Sequence, residues 1–305
     1  MAEFISVNPR SFGLEISDSS LKIAKVRKKL GFFRLVSFNE TNLDEGIIKK
    51  GDIEKEEELV KAIKKLVSET NGEKIKTRNV SLSIPEEKVF VKIIKMPDIA
   101  GRELETAVYF EAENHIPLEI EKMYLDFEVL EKNELGKKIL IIAVSKEIID
   151  SYISVLIRSD LKPMVFESES LSSYRALAEN KESFFLIDIK KEKINFSFFK
   201  KGFVKFSVSS YKETLSKSIV DKAKEYLDYY PSKNEIEKML VSGSKDDLRE
   251  VKKYFLESFG EKVYFKNSSF NLLIPEKKEF SNISNKLSNY ASVLGIALRG
   301  AGNNQ

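Results

Sequence analysis

Residues 12–26 read FGLEISDSSLKIAKV, with apolar side chains at alternate positions on either side of one polar cluster. Leu14 and Ile16 alternate with polar neighbours, Ser17-Asp18-Ser19-Ser20 interrupts, and Leu21 and Ile23 resume the alternation. A period of two sends successive side chains to opposite faces of an extended chain, so this pattern predicts a β-hairpin. A second turn at 28–31 leads to a third strand, 32–38. Residues 185–199, FLIDIKKEKINFSFF, lie on the first segment without a gap. Leu14 meets Ile187, Ile16 meets Ile189, Leu21 meets Ile194, Ile23 meets Phe196, and Glu15 meets Asp188. Lys200-Lys201-Gly202 then supplies the second turn, and 203–208 the third strand. The chain therefore reads as an internal duplication.

Between the repeats the spacing is mostly helical. Residues 56–70 set Leu59, Ile63 and Leu66 on one face and stop at Asn71-Gly72, and 80–84 is a strand ending at Pro85. Residues 88–162 predict an α/β insert: strand 89–94, helix 101–115, paired strands 124–130 and 138–144, and helix 148–159. Strand 163–166 returns the chain to the first lobe, and helix 171–178 closes it. The second half adds helix 213–229, strand 237–241 and helix 245–259. A last helix, 290–299, has Ala291, Gly295 and Ala297 available for close backbone approach. The expected division is a first lobe of residues 1–87 and 163–183, an insert of 88–162, and a second lobe of 184–305 with a small helical part near 211–236.

Composition narrows the chemistry. The chain has 305 residues, 42% hydrophobic and 32% charged, enough for about two globular domains. A net charge of +3 is too small to imply a nucleic-acid partner. Without cysteine there are no disulfides or thiolate metal sites. One histidine, His115, excludes His-rich zinc sites and a Ser/His/Asp triad; beside Ile116-Pro117 it reads as a helix-end residue. No GxxxxGK[ST] loop occurs, and no GxGxxG follows a predicted strand. Glu111 and Glu113, two apart on a helix, point to different faces and suit surface or interface roles. The opening MAEFISVNPR lacks a secretory core, and runs such as 139–144 fall far short of the roughly 20 residues that span a bilayer. The expectation is a cytoplasmic chain that meets a membrane only through partners. The lysine pairs at 28–29, 49–50, 190–191 and 200–201 read as solvated turns rather than as a membrane-binding patch.

The run GLEISDSSLKIAKV (13–26) resembles the opening of the PilM type IV pilus assembly proteins, relatives of the actin-like protein FtsA, with the pattern GL[DE]IGSSSIK. Residues 96–130 (MPDIAGRELETAVYFEAENHIPLEIEKMYLDFEVL), 161–177 (LKPMVFESESLSSYRAL) and 291–300 (ASVLGIALRG) agree, so the resemblance spans nearly the whole chain. It implies a two-lobed actin-like (ribonuclease-H-like) α/β fold with duplicated β-hairpin sheets and an inserted α/β subdomain. In that fold the hairpin turns face each other and grip nucleotide phosphates through converging N–H groups, and an acid ending each first strand holds magnesium through water. The matching positions for ATP are Glu15, Ser17, Ser19, Lys22, Asp188, Lys190 and Gly243, with Glu15 and Asp188 the candidates for magnesium.

The same comparison shows departures. Ser17 replaces a glycine, and Asp18 replaces a serine, which sets a negative charge beside a phosphate unless it is paired. Lys190 replaces the glycine of Asp-Ile-Gly, the glycine pair and threonine are lost around 210–214, and Ser242-Gly243-Ser244-Lys245 stands for Ser-Gly-Gly-Gly. The preferred reading is a scaffold of a type IV pilus or related secretion platform, with a degenerate nucleotide cleft. Its groove between first lobe and insert receives the cytoplasmic tail of PilN, an inner-membrane protein. Other platform proteins and self-association complete the expected partners, and no partner-contact residue is assigned. The alternative is an ATPase that hydrolyses slowly and uses nucleotide state to set partner affinity. A small-molecule kinase is disfavoured by the lack of an acidic base beside the cleft. FNLLIP (270–275) resembles the Asn-Leu-Leu-Pro motif by which PilN docks, but a strand and turn is the simpler reading.

Overall fold

The computed structural model describes residues 10–302 apart from 117, 135, 180, 213–215, 230–235, 237, 267–271 and 285–286. Strands Phe12–Ile16 (β1), Ser20–Lys29 (β2) and Phe32–Asn42 (β3) form the predicted meander, with β3 four residues longer than the alternation indicated. A small hairpin, Ile48–Lys49 (β4) and Asp52–Ile53 (β5), precedes helix Glu56–Ser68 (α1), Asn71–Gly72 (β6) and Asn79–Ile84 (β7). The insert comprises Val89–Met96 (β8), Arg102–Glu113 (α2), Met123–Asn133 (β9) and Gly136–Ser145 (β10), followed by Lys146–Arg158 (α3), Lys162–Ser168 (β11) and Glu169–Leu177 (α4). Then come Phe184–Ile189 (β12), Lys193–Lys200 (β13), Phe203–Tyr211 (β14), Ser216–Tyr229 (α5), Met239–Ser242 (β15), Lys245–Phe259 (α6) and Val263–Lys266 (β16). Leu272–Leu273 (β17), Ser281–Ser284 (α7) and Ala291–Gly300 (α8) finish the chain. The starts predicted at 213 and 237 lie outside the described residues.

Strand pairing repeats the duplication. One sheet runs β11-β7-β1-β2-β3 and the other β16-β15-β12-β13-β14, the same path taken twice. Glu15 pairs with Lys22 as Asp188 pairs with Asn195, and Ile16 with Leu21 as Ile189 with Ile194. Even the β-bulge recurs, between Lys25 and Val26 and between Phe198 and Phe199. The motif of residues 270–275 contributes only β17, at the first sheet's edge, where Leu272 pairs with Phe33; Phe270 and Asn271 lie outside the described residues.

Helix α1 buries Leu59, Ile63 and Leu66 against Leu14, Ile16 and Ile23 of the first sheet. Helix α3 joins the same core through Tyr152, Val155 and Leu156, so it packs on the first sheet although the pattern places it within the insert. Helix α8 is buried on every side from Ala291 to Leu298, as its all-round apolar sequence requires. Two glycines let it in. A Cβ on Gly13 would lie 2.7 Å from the Val293 carbonyl oxygen, and one on Gly295 would lie 1.7 Å from that of Ser172 in α4. The close backbone approach expected of Gly295 is therefore a contact between α8 and α4.

The insert sheet runs β8-β10-β9. Ile139, Ile141 and Ala143 pack against Leu104, Val108 and Ala112 of α2. The pleat sends Leu140, Ile142 and Val144 to the opposite face. An unbroken apolar run in β10 therefore serves two faces, only one of which α2 covers.

Candidate functional site

The two first turns close alike, Ser17 N–H to the Ser20 carbonyl and Lys190 N–H to the Lys193 carbonyl, both at 2.9 Å. They meet across a cavity of about 280 Å³. Glu15, Ser17, Ser19, Lys22, Asp188 and Lys190 all line it. Gly243 does not: its backbone lies against Ile189, where a Cβ would be 3.0 Å from the Ile189 Cβ, so its small size serves packing. Its neighbours Ser244 and Asp247 reach the cavity instead, with the Ser244 hydroxyl capping α6 by accepting from the Asp247 N–H at 3.0 Å.

Cations already occupy the centre of this cleft. Glu15, fully buried at the end of β1, accepts from Lys22 Nζ at 3.0 Å, its neighbour across the hairpin. Lys190 Nζ reaches over from the second lobe, 3.5 Å from Glu15 and 3.7 Å from Asp188, so one ammonium bridges the two acids. Burial alone would raise the Glu15 pKa, but Lys190 and Lys22 outweigh it and hold the carboxyl at about 2. For Asp188 burial wins: its pKa stays above the ordinary carboxylate value despite Lys190 and a hydrogen bond from Ser173 Oγ at 2.9 Å. Burial lowers and its acidic neighbours raise Lys190, whose net shift is upward, so it carries its charge throughout the neutral range.

A second buried ion group extends the first. Lys193 bonds to Glu87 at 2.6 Å and Glu169 at 2.9 Å, and Glu169 also accepts from Asn195 at 2.9 Å. Sequence reading missed these residues. Lys193 occupies the repeat position of Ser20, a charge-for-hydroxyl difference visible in the alignment, but Glu87 and Glu169 join it only through folding. Asp18 is paired: its carboxylate accepts from the N–H groups of Lys50 and Gly51 at 2.7 and 2.9 Å. Both of those residues have positive φ in the β4–β5 turn, which aims their amides at Asp18. Ser17 Oγ is engaged within its own turn, donating to the Ser20 carbonyl at 3.0 Å and accepting from the Ser20 N–H at 3.1 Å. Among the described residues no group of three or more His, Asp or Glu side chains is arranged to hold a metal ion. His115, just past the end of α2, sets its ring 3.2 Å from Glu111 of the last turn.

The depressed Glu15 pKa carries a pH dependence. The folded chain holds this carboxylate ionised well below the ordinary value of 4.5. Its contribution is therefore complete above that value and is lost as pH falls toward about 2. Urea midpoints measured from neutral pH downward should fall more steeply for the wild type than for Glu15→Gln across this window.

Another concave surface lies between the insert and the first lobe, with the β13–β14 turn of the second lobe at one end. Two cavities of about 420 Å³ each share Glu128, Ile142, Glu167, Leu171 and Arg299, so they form one groove. Ile142, Phe166 and Leu171 supply its half-buried apolar floor. Buried Glu167 is held by Arg175, with Nη2 at 2.8 Å, and by Arg299 at 2.6 Å. Burial opposes ionisation of Glu167, yet the two arginines lower its pKa. Strands β9 and β11 are sheet edges flanking the groove, with main-chain groups unpaired by any neighbouring strand among the described residues.

The family described as type IV pilus assembly protein PilM matches residues 13–208, both the first sheet and most of the second meander. The chain belongs to the PilM family. A structure described as the PilM-PilN type IV pilus biogenesis complex superposes with a TM-score of 0.80 at 19% identity, covering 96% of this chain and 99% of that one. The cytoplasmic domain of EpsL, an inner-membrane component of the type II secretion system of Vibrio cholerae, gives 0.53 at 9% identity over 97% and 96% of the two chains. The ethanolamine utilization protein EutJ of Carboxydothermus hydrogenoformans gives 0.53 at 12% identity over 95% and 89%. No curated protein sequence gives a significant match. The two-lobed actin-like architecture implied by the sequence is the architecture of this PilM-family chain. Among the described residues, no helix is long and apolar enough to cross a membrane.

Proposed function

We propose that this PilM-family chain serves type IV pilus assembly as a scaffold, taking the cytoplasmic tail of a PilN-like membrane protein into the groove between insert and first lobe. The observation that carries this reading is the groove beside the second face of β10, where Ile142, Phe166 and Leu171 are left half-buried between two free strand edges. An extended peptide could add to β9 or β11 through its main chain and set alternate side chains on Ile142, Phe166 and Leu171. The similar PilM structure was solved as a complex with PilN, which supports a tail of that kind. The test is a titration with a peptide carrying the amino-terminal segment of a PilN-like protein. Ile142→Glu should weaken binding at least about tenfold by placing a charge in the apolar floor. Leu171→Ala, a milder truncation, should weaken it less. Wild-type affinity in both variants would remove the groove from the interaction.

On this reading the interlobe cleft works without nucleotide. A magnesium ion held through water by Glu15 and Asp188 would have to displace the ammonium of Lys190, a cation fixed in the chain. The residues present therefore do not suit a magnesium nucleotide, and Lys190 and Lys193 instead tie the two lobes together. One observation favours the alternative, a nucleotide-switched ATPase: Glu15 Oε2 is buried beside the cavity with no hydrogen-bond partner. Calorimetry with magnesium and ATP separates the two, since a switch requires a measurable heat of binding and the scaffold does not.

A further inference from the structure

The meander of the first lobe ends, away from the cleft, in a tip unlike its copy. Leu30 is 88% exposed and Phe32 65% exposed, the two most solvent-covered large apolar side chains of the hairpin repeats. Turn geometry does not ask for them. Leu30-Gly31 has φ of 51° and 84°, and Lys201-Gly202 in the second lobe has 51° and 89°, so the same turn is built with lysine at the tip. The Phe32 equivalent, Phe203, is half-buried and lines the groove. Leucine in a left-handed conformation is also unfavourable, and full exposure adds to that cost. Nothing in the folding of the hairpin accounts for an apolar residue here.

The surroundings are basic. Arg27, Lys28, Lys29 and Arg34 are all exposed on the same two strands. Pairing places Lys29 opposite Phe32 and Arg27 opposite Arg34, so Arg27, Lys29, Phe32 and Arg34 share one outward face of the sheet, while Lys28, opposite Phe33, lies on the other. The acid facing them is Glu73, bound to Arg27. Leu273 of β17, 55% exposed and paired with Arg34, extends the apolar area on that face. Two protruding apolar side chains ringed by cations match a surface that is apolar inside and anionic outside.

We propose that the β2–β3 tip dips into an anionic lipid bilayer, with Leu30 and Phe32 entering the acyl boundary and Arg27, Lys29 and Arg34 of the same face resting on the headgroups. Such an anchor is shallow and reversible, and strengthens a second attachment rather than replacing it. The ten residues of β2 put the tip roughly 30 Å from the cleft turn, so lipid contact leaves the cleft open to the solvent side.

The test is co-sedimentation of the full chain with vesicles of phosphatidylcholine alone and of phosphatidylcholine mixed with phosphatidylglycerol. The protein should pellet with the mixed vesicles, not with the neutral ones, and should be released by high salt. Leu30→Ser with Phe32→Ser should lower the bound-to-free ratio at least about tenfold, and Lys29→Glu with Arg34→Glu should do likewise. All four side chains are exposed, so both variants should keep the wild-type melting temperature. A wild type that stays in solution with anionic vesicles, or variants that pellet like the wild type, would overturn the proposal and leave the tip to a protein partner.

Discussion

Lys190→Met is expected to destabilise the folded chain by about 3 kcal/mol, the lower end of what removing one partner of a buried ion pair costs. The substitution keeps most of the volume but removes the ammonium 3.5 Å from Glu15 and 3.7 Å from Asp188. Glu15 retains Lys22, which is why the lower end applies. Asp188 retains the Ser173 hydroxyl among the described residues, and burial has already pushed its pKa up, so it should take a proton more readily in the variant. The deficit should therefore be largest at neutral pH and narrow as the solution is acidified. Urea unfolding at several pH values measures it. A neutral-pH loss below about 1 kcal/mol would mean that this cation is a solvated surface charge rather than the bridge between the lobes.

Gly295→Ala should be at least as damaging, and its sign decides between two effects. On an isolated helix the change would stabilise by up to about 1 kcal/mol, because alanine is the better helix former. Here the new Cβ would lie 1.7 Å from the Ser172 carbonyl oxygen and 2.5 Å from its carbon, both backbone atoms that cannot swing aside. Helix α8 must withdraw from α4, opening the core around Val293, Leu294 and Ala297. A cost of about 3 kcal/mol or more, at the upper end for overpacking, is expected, with reduced soluble yield. A variant as stable as the wild type would show that α8 is not seated against α4.

The frame was legible because its signals are local and occur twice. Alternation from Leu14 to Ile23 and from Ile187 to Phe196 needs no tertiary information, and the aligned acids Glu15 and Asp188 gave the correct pairing positions. Gly295 was legible as a point of close approach for the same reason, since small residues at helical spacing have few other uses. The ion groups were not. Asp18 is neutralised by amides of Lys50 and Gly51, 32 and 33 residues away, and Lys193 by Glu87 and Glu169 from different elements. Such partners are chosen by folding. The packing of Gly243 against Ile189 was not legible either, because glycine suits both phosphate turns and tight packing. The two-sided use of β10 was hidden because an unbroken apolar run reads alike whether its second face is covered or open.

The proposed scaffold would take a membrane-protein tail into its groove while the lysine-bridged cleft works without nucleotide. Calorimetric titration of the PilN-like tail peptide into the folded chain, with and without magnesium and ATP, tests it most directly. The expected result is saturable binding with the same Kd in both titrations. No binding at submillimolar peptide, or binding that appears only when nucleotide is present, would contradict it.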